Sequence, residues 1–263
     1  MLFRSELSQF FQNWDNSFNG NRHIGVYALN VLGGWMSNVT CSANYVGPGF
    51  GAQSTAGIFV NGNVFNVLAA NNILDASDAS CPASGLFYLC VAGLTNPPTS
   101  WILNNTFVGA AVGLNILNDA SGSVPSTVVC LNNEFYTNSY YPVIVHYGAY
   151  LTLVSDTNNY YGQWNGGFVF SANGSGGGNT FTQWNAFGYD LHSTTLNPLL
   201  TGVFAPQTNS PVLAAGANLT PLAITYDFAG NLRPATGNWT LGAYQAGGVT
   251  RPSVPQNFHI VEP

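Results

Sequence analysis

Apolar residues in this chain recur in short alternating runs, as in Ser126-Thr-Val-Val-Cys130 and Leu151-Thr-Leu-Val-Ser155, with asparagine or glycine between the runs. Side chains alternate faces along an extended strand, so these runs predict strands with one buried face. The runs also repeat. Aligning Asn44, Asn72, Asn105, Asn133 and Asn159 gives intervals of 28, 33, 28 and 26 residues, a period that suits a solenoid with insertions of variable length.

A second run starts at Gly25, Gly57, Gly85 and Gly113, at Val143 in the next copy and at Gly167 in the last. Each start is followed by an apolar residue: Val26, Ile58, Leu86, Leu114, Ile144 and Phe168. Two places further on, Ala28, Val60, Tyr88, Ile116, His146 and Phe170 share the inward face. A third column follows the asparagines, at Val46, Leu74, Phe107, Phe135 and Tyr161. Three columns in register predict an all-β parallel solenoid of about six coils over residues 24–179. Asparagine fits its turns, because it tolerates left-handed backbone and can hydrogen-bond its counterpart in the next coil. Only Ser5 to Trp14 reads as a short helix.

Composition sets the surface. Charged residues make up 5% of the chain, against roughly 25% in ordinary soluble proteins. Lysine is absent, so Asn, Ser, Thr, Gly and Tyr must face the solvent. With 46% hydrophobic and 14% aromatic residues, the chain can bury a core and is not expected to be disordered. No apolar run approaches the ~20 residues that cross a bilayer, and no basic cluster could follow a phosphate backbone. Membrane insertion and nucleic acid are therefore not expected.

Residues 180–247 read as closing coils and a C-terminal cap. The motifs there are Gly188-Tyr-Asp-Leu-His-Ser193, Asn197-Pro-Leu-Leu200, Ser210-Pro-Val-Leu-Ala-Ala-Gly216, Asp227-Phe-Ala-Gly-Asn-Leu-Arg-Pro234 and Leu241-Gly-Ala-Tyr-Gln245. In this order they resemble the closing segment of secreted right-handed parallel β-helix proteins of the pectate-lyase-like superfamily. Asn197, Leu200, Leu213, Ala214 and Gln245 stand where that family commonly has Asp, Phe, Ile, Asp and Glu, a loss of three carboxylates that weakens any metal site in the cap. The resemblance implies a right-handed β-helix and an address outside the cytoplasm. It implies no reaction, since the same solenoid carries enzymes, adhesins and spacers.

Residues 1–23 read as a truncated or capping start, with Met1 to Ser5 as a translated adaptor scar. Residues 248–263 resemble a linker entering a further module, so the chain is expected to be a monomeric segment of a larger multidomain protein.

Candidate chemistry is sparse. β-Elimination on an acidic polysaccharide needs cations and a base, and of the four arginines only Arg22 lies near the solenoid. Glycoside hydrolysis needs two carboxyl groups about 5–10 Å apart. The nearest acidic group is Asp75 with Asp78, to which Asp119 in a later loop could add, giving at most a weak Ca²⁺ site. Asp156 aligns with the apolar column Cys41, Ala69, Ile102 and Cys130, as an inward carboxylate bonded to turn amides. His146 reads as a core histidine. Asp190 with His192 could be a catalytic dyad, but their place in a cap motif favours hydrogen-bonding of the final turn. Asp227 and Arg233 read as a turn-closing pair. Cys41 and Cys130 are expected as buried thiols, and Cys81 with Cys90 as the one plausible bridge.

The outward positions Tyr27, Phe59 and Phe87 would stack aromatic rings on three consecutive coils. Such a ladder could meet the apolar faces of a glycan. The expected function is an extracellular, non-catalytic surface or spacer module with polysaccharide as its candidate ligand. The alternative is a carbohydrate-active lyase or hydrolase whose catalytic residues lie largely outside this chain.

Overall fold

The computed structural model describes residues 67–75, 99–109, 112–118, 126–138, 141–146, 151–162, 165, 167–170, 178–222 and 224–246, with the strand backbones between residues 2 and 65 and at 87–91. The named strands pair in parallel within sheets of seven, six and six strands, and a further pair joins Met36–Ser37 to Val64–Phe65. We number the three large sheets in the order the chain first enters them. The chain visits them in rotation. Thr99–Leu103 lies in sheet 2, Thr106–Val108 in sheet 3 and Val112–Asn118 in sheet 1, and Ser126–Leu131 returns to sheet 2. The molecule is an all-β, parallel solenoid.

Two residues turn the chain from sheet 2 to sheet 3 on each passage. The first is left-handed: φ is 56° at Asn71, 54° at Asn104, 59° at Asn132 and 51° at Thr157. The second points inward and forms a ladder. Asn72 Nδ2 donates to Asn105 Oδ1 at 2.8 Å, Asn105 to Asn133 at 3.0 Å, and Asn133 to Asn158 at 3.1 Å. Each ladder oxygen also accepts the backbone N–H of the rung before it. Buried amides in a turn need such partners, since an unpaired polar group in the interior costs about 1–3 kcal/mol.

Beyond the ladder, Leu74, Phe107, Phe135 and Tyr160 form one fully buried column. Phe107 stacks on Phe135 with centroids 4.7 Å apart, and Phe135 on Tyr160 at 4.8 Å, the spacing set by adjacent strands. The column ends where Phe168 meets Tyr160 edge-on and Trp184 stacks on Phe168 at 5.1 Å. Trp184 belongs to the helix Phe181–Ala186, which Thr180 and Gln183 start as a reciprocal capping box. Phe11–Trp14, expected as the end of a short helix, is instead a sheet 2 strand paired with Val39–Ser42.

Residues 189–194 lay one last partial rung, with Asp190 N–H bonded to Ser155 O and Thr194 paired with Asn159. From Leu196 the chain doubles back along the outside of the solenoid. It meets Asn159 through Leu196, Asn132 through Ala217, Thr106 through Ala243, and Asn71 through Tyr226. This strap lies along the corner of sheets 2 and 3. The outward residues Ala70 and Leu103 are apolar there, and Leu219, Ile224 and Trp239 cover them.

The observed register corrects several sequence alignments by one residue. Asn158 stands in the ladder, Tyr160 in the aromatic column, and Ser155 in the column of Cys41, Ala69, Ile102 and Cys130. Asp156 is therefore displaced from that column and pairs with Leu131. In sheet 1 the fully buried residues are Leu114 with Ile116 and Val143 with Val145, and the register sets Phe87 and Leu89, not Tyr88, beside Leu114 and Ile116. His146 aligns with Leu117.

Candidate functional site

The described residues gather their polar chemistry in two places, the last rung and the strap. At the last rung the ladder runs out of asparagines. Ser193 Oγ accepts the backbone N–H of Asn158 at 2.7 Å, where an asparagine oxygen does so in earlier rungs. Every ladder amide donates toward this end, so the terminus must accept. Asp190 does. Its Oδ1 takes Asn158 Nδ2 at 2.8 Å and Ser193 Oγ at 2.7 Å. Its Oδ2 takes Ser155 Oγ at 2.7 Å, Tyr160 Oη at 3.0 Å and Trp184 Nε1 at 2.6 Å.

Asp190 is 1% exposed and left-handed at φ 54°, and five donors hold its carboxylate without a contacting cation. Burial and the Asp190 charge push the Tyr160 phenol and the Cys130 thiol well above their ordinary values. Both groups therefore stay protonated at neutral pH. Cys130 is free and buried, as its column position suggested.

His192 takes no part in this cluster. Its backbone N–H and Nδ1 meet Asp156 at 2.7 and 2.6 Å, and its ring stands in solvent. The hydrogen bond from Asp156, then its charge, raise the His192 pKa. Partial burial pushes the Asp156 carboxyl up, but the bonds from His192 and from the Thr157 backbone outweigh it and leave the carboxyl lowered. Asp190 and His192 thus share a turn without sharing a proton.

In the strap, Asp227 Oδ1 accepts the backbone N–H of Asn231 at 2.7 Å, and Oδ2 accepts that of Gln245 at 2.8 Å. Arg233 spreads its donors elsewhere. Nη2 reaches Asn71 Oδ1 at 2.7 Å and the Gly242 and Ala243 carbonyls. Nη1 reaches Gln245 Oε1 at 3.2 Å, and the guanidinium lies 5.1 Å over the Trp239 ring. Asp227 and Arg233 close the strap together, but Gln245 stands between them as a bridge. Burial lowers the Arg233 pKa to about 10, against the opposing pull of Asp227.

Glu134 carries no signal in the sequence and is the least expected group. It is 1% exposed on the outward side of sheet 3, in register with Ile73, Thr106 and Asn159. The strap covers it, since a Cβ added to Gly242 would come within 3.1 Å of Glu134 Cβ. Burial holds its carboxyl well above the usual range, opposed only in part by the Asn159 amide at 2.9 and 3.0 Å.

Of the acidic loop residues, only Asp75 lies among the described residues. Asp75 is buried at the end of a sheet 3 strand, in register with Val108. Asp78 and Asp119, and the Cys81–Cys90 bridge, lie outside the described residues. Among the described residues no three His, Cys, Asp or Glu side chains gather as a metal site.

For the aromatic positions, the register aligns Tyr27 with Phe59 and Phe59 with Tyr88, while Phe87 pairs with Ile58 and Leu114. The side chains of Tyr27, Phe59 and Phe87 are outside the described set. The same outward column continues through Asn115 to Ile144 and Val169, which are buried in a small cluster with Val112. On sheet 3, the half-buried Tyr136 and Tyr161 stack at 5.8 Å. There the two ring planes lie 17° apart, face toward face.

No family model matches the chain, and neither the curated proteins nor the solved structures contain a significant match.

Proposed function

We propose that this chain is the closing part of a secreted, right-handed parallel β-helix of the pectate-lyase-like kind, working as a non-catalytic surface or spacer module. The observation that carries the reading is the use of its buried ionisable groups. The Asp190 carboxylate is occupied by five internal donors, and Asp227 and Arg233 are bound to the strap and to Asn71. Groups held this way fix a shape. An acid or base must reach a substrate proton through hydrogen-bond distance, and these side chains face inward.

The scarcity of charge supports the same reading, because an uncharged flank of Asn, Ser and Thr suits a long extracellular spacer better than a site for a charged substrate. The test is to incubate the chain with neutral and acidic polysaccharides and to follow both binding and the release of reducing ends or unsaturated products. Product formation overturns the proposal in favour of a carbohydrate-active enzyme. Binding without products, abolished by Tyr27→Ala with Phe59→Ala, makes the module adhesive. Neither binding nor products leaves it a spacer.

A further inference from the structure

The strap buries a cation beside polar atoms that have no protein partner. Arg233 is 3% exposed, and its Nε has no acceptor among the described residues. Asn104 is fully buried, and neither its Nδ2 nor its Oδ1 finds a partner. The two groups are neighbours through Asn71. Arg233 Nη2 is bonded to Asn71 Oδ1, and Asn104 occupies the same outward turn position on the next rung, whose strand lies about 4.8 Å from that of Asn71.

The other members of that column show what the position needs. Asn71 binds Arg233 and the Tyr226 carbonyl, and Asn132 binds both the N–H and the carbonyl of Ala217. Only Asn104, between them, meets no complement from the strap. A buried amide and a buried guanidinium N–H left this way each carry the penalty of lost hydration without a hydrogen bond in return.

Charge points the same way. Among the described residues no carboxylate touches Arg233, and the Asp227 charge acts on it only from beyond contact. Asp227 directs its oxygens to the N–H groups of Asn231 and Gln245, and the side chain that does face the guanidinium is the neutral amide of Gln245. The Thr240, Gly242 and Ala243 carbonyls solvate the cation without neutralising it. A buried charge without an opposite charge in contact is a strongly unfavourable arrangement.

We propose that the corner between strap and solenoid is a binding site for one small inorganic anion, of halide size, held by Arg233 Nε and Asn104 Nδ2. The anion supplies the countercharge absent at Gln245 and pins the strap across the outward asparagine column. Asn104 Oδ1 then accepts from the water that accompanies the ion.

Thermal unfolding of the full chain tests this in sodium chloride or bromide against sodium gluconate at matched ionic strength. At about a hundred-fold excess of halide over its dissociation constant, the melting temperature should rise by on the order of 5 °C. Gln245→Glu and Asn104→Asp each place a carboxylate at the site, and Asp tolerates the left-handed turn. Both variants should lose the halide response, so failure of one to fold leaves the other as the test. Crystals grown in bromide should show its anomalous signal beside Arg233 Nε. A response that follows ionic strength alone, a response retained in the carboxylate variants, or only water beside Arg233 Nε would overturn the proposal.

Discussion

Asn158 donates an amide hydrogen to Asp190 across 2.8 Å, and that bond ends a chain of aligned amides reaching back through Asn133 and Asn105 to Asn72. Each amide in the chain donates in the same direction, so the dipoles add and the final acceptor feels their positive end. A carboxylate, which only accepts, is the matching terminus.

Asp190→Asn is therefore expected to destabilise the chain by about 2–6 kcal/mol, because the amide nitrogen leaves at least two buried donors without an acceptor at about 1–3 kcal/mol each. The substitution keeps the size and the tolerance of left-handed backbone, but it brings an NH₂ group into a site made of donors. The midpoint of urea unfolding reads the loss. A change below about 1 kcal/mol would mean that the ladder does not depend on its terminus.

The ladder was legible in the sequence up to its last rung. In Asn71-Asn72, Asn104-Asn105 and Asn132-Asn133 the second residue of the pair points inward. In the fifth copy Thr157 takes the left-handed position, so the ladder residue is Asn158, and Asn159 already belongs to the next strand. Matching the last asparagine of each run is thus misleading, because backbone handedness sets the register. The slip carries Asp156 into an apolar column that Ser155 occupies. Glu134 was illegible for a different reason. Its burial comes from a strap more than a hundred residues later in the chain, which no local pattern encodes.

Glu134 should make stability fall as pH rises. Its folded pKa is raised above the ordinary value of 4.5, so the folded state binds the proton more tightly than the unfolded state does. The contribution is fully present below about 4.5 and is lost as pH climbs toward the folded value, at up to about 1.4 kcal/mol per unit. Glu134→Gln keeps an acceptor for the Asn159 amide and removes the titration. Melting temperatures of the two proteins should agree near pH 4, with the variant higher at pH 8. Parallel curves would exclude Glu134 as the titrating group.

The His192 imidazole should titrate above its ordinary value of 6.5, because Asp156 bonds to Nδ1 and favours the charged ring. A raised histidine pKa stabilises the fold below the unfolded value and loses that contribution as pH rises through the folded one. The ring is exposed, so the effect on stability should be slight. Its proton resonances followed against pH should show the raised midpoint, and Asp156→Asn should return it toward 6.5. A midpoint unchanged by that substitution would show that the pair does not form in solution.

Gly242 should be sensitive to a single added methyl group. It has φ 79°, which a side chain rarely adopts, and a Cβ there would lie 2.7 Å from Thr106 Oγ1 and 3.1 Å from Glu134 Cβ. Gly237 is the internal control, with φ 80° and no atom within 4 Å of a Cβ. Gly237→Ala meets the backbone strain alone, about 1–2 kcal/mol. Gly242→Ala adds overpacking of about 1–3 kcal/mol and loosens the N–H bonds from Gly242 to Asn132 and from Ala243 to Thr106. The strap residues should then be cut first in limited proteolysis with chymotrypsin, before the solenoid strands. Equal destabilisation by the two substitutions would mean that the strap does not pack against Thr106 and Glu134 as closely as the contact between Gly242 and Thr106 requires.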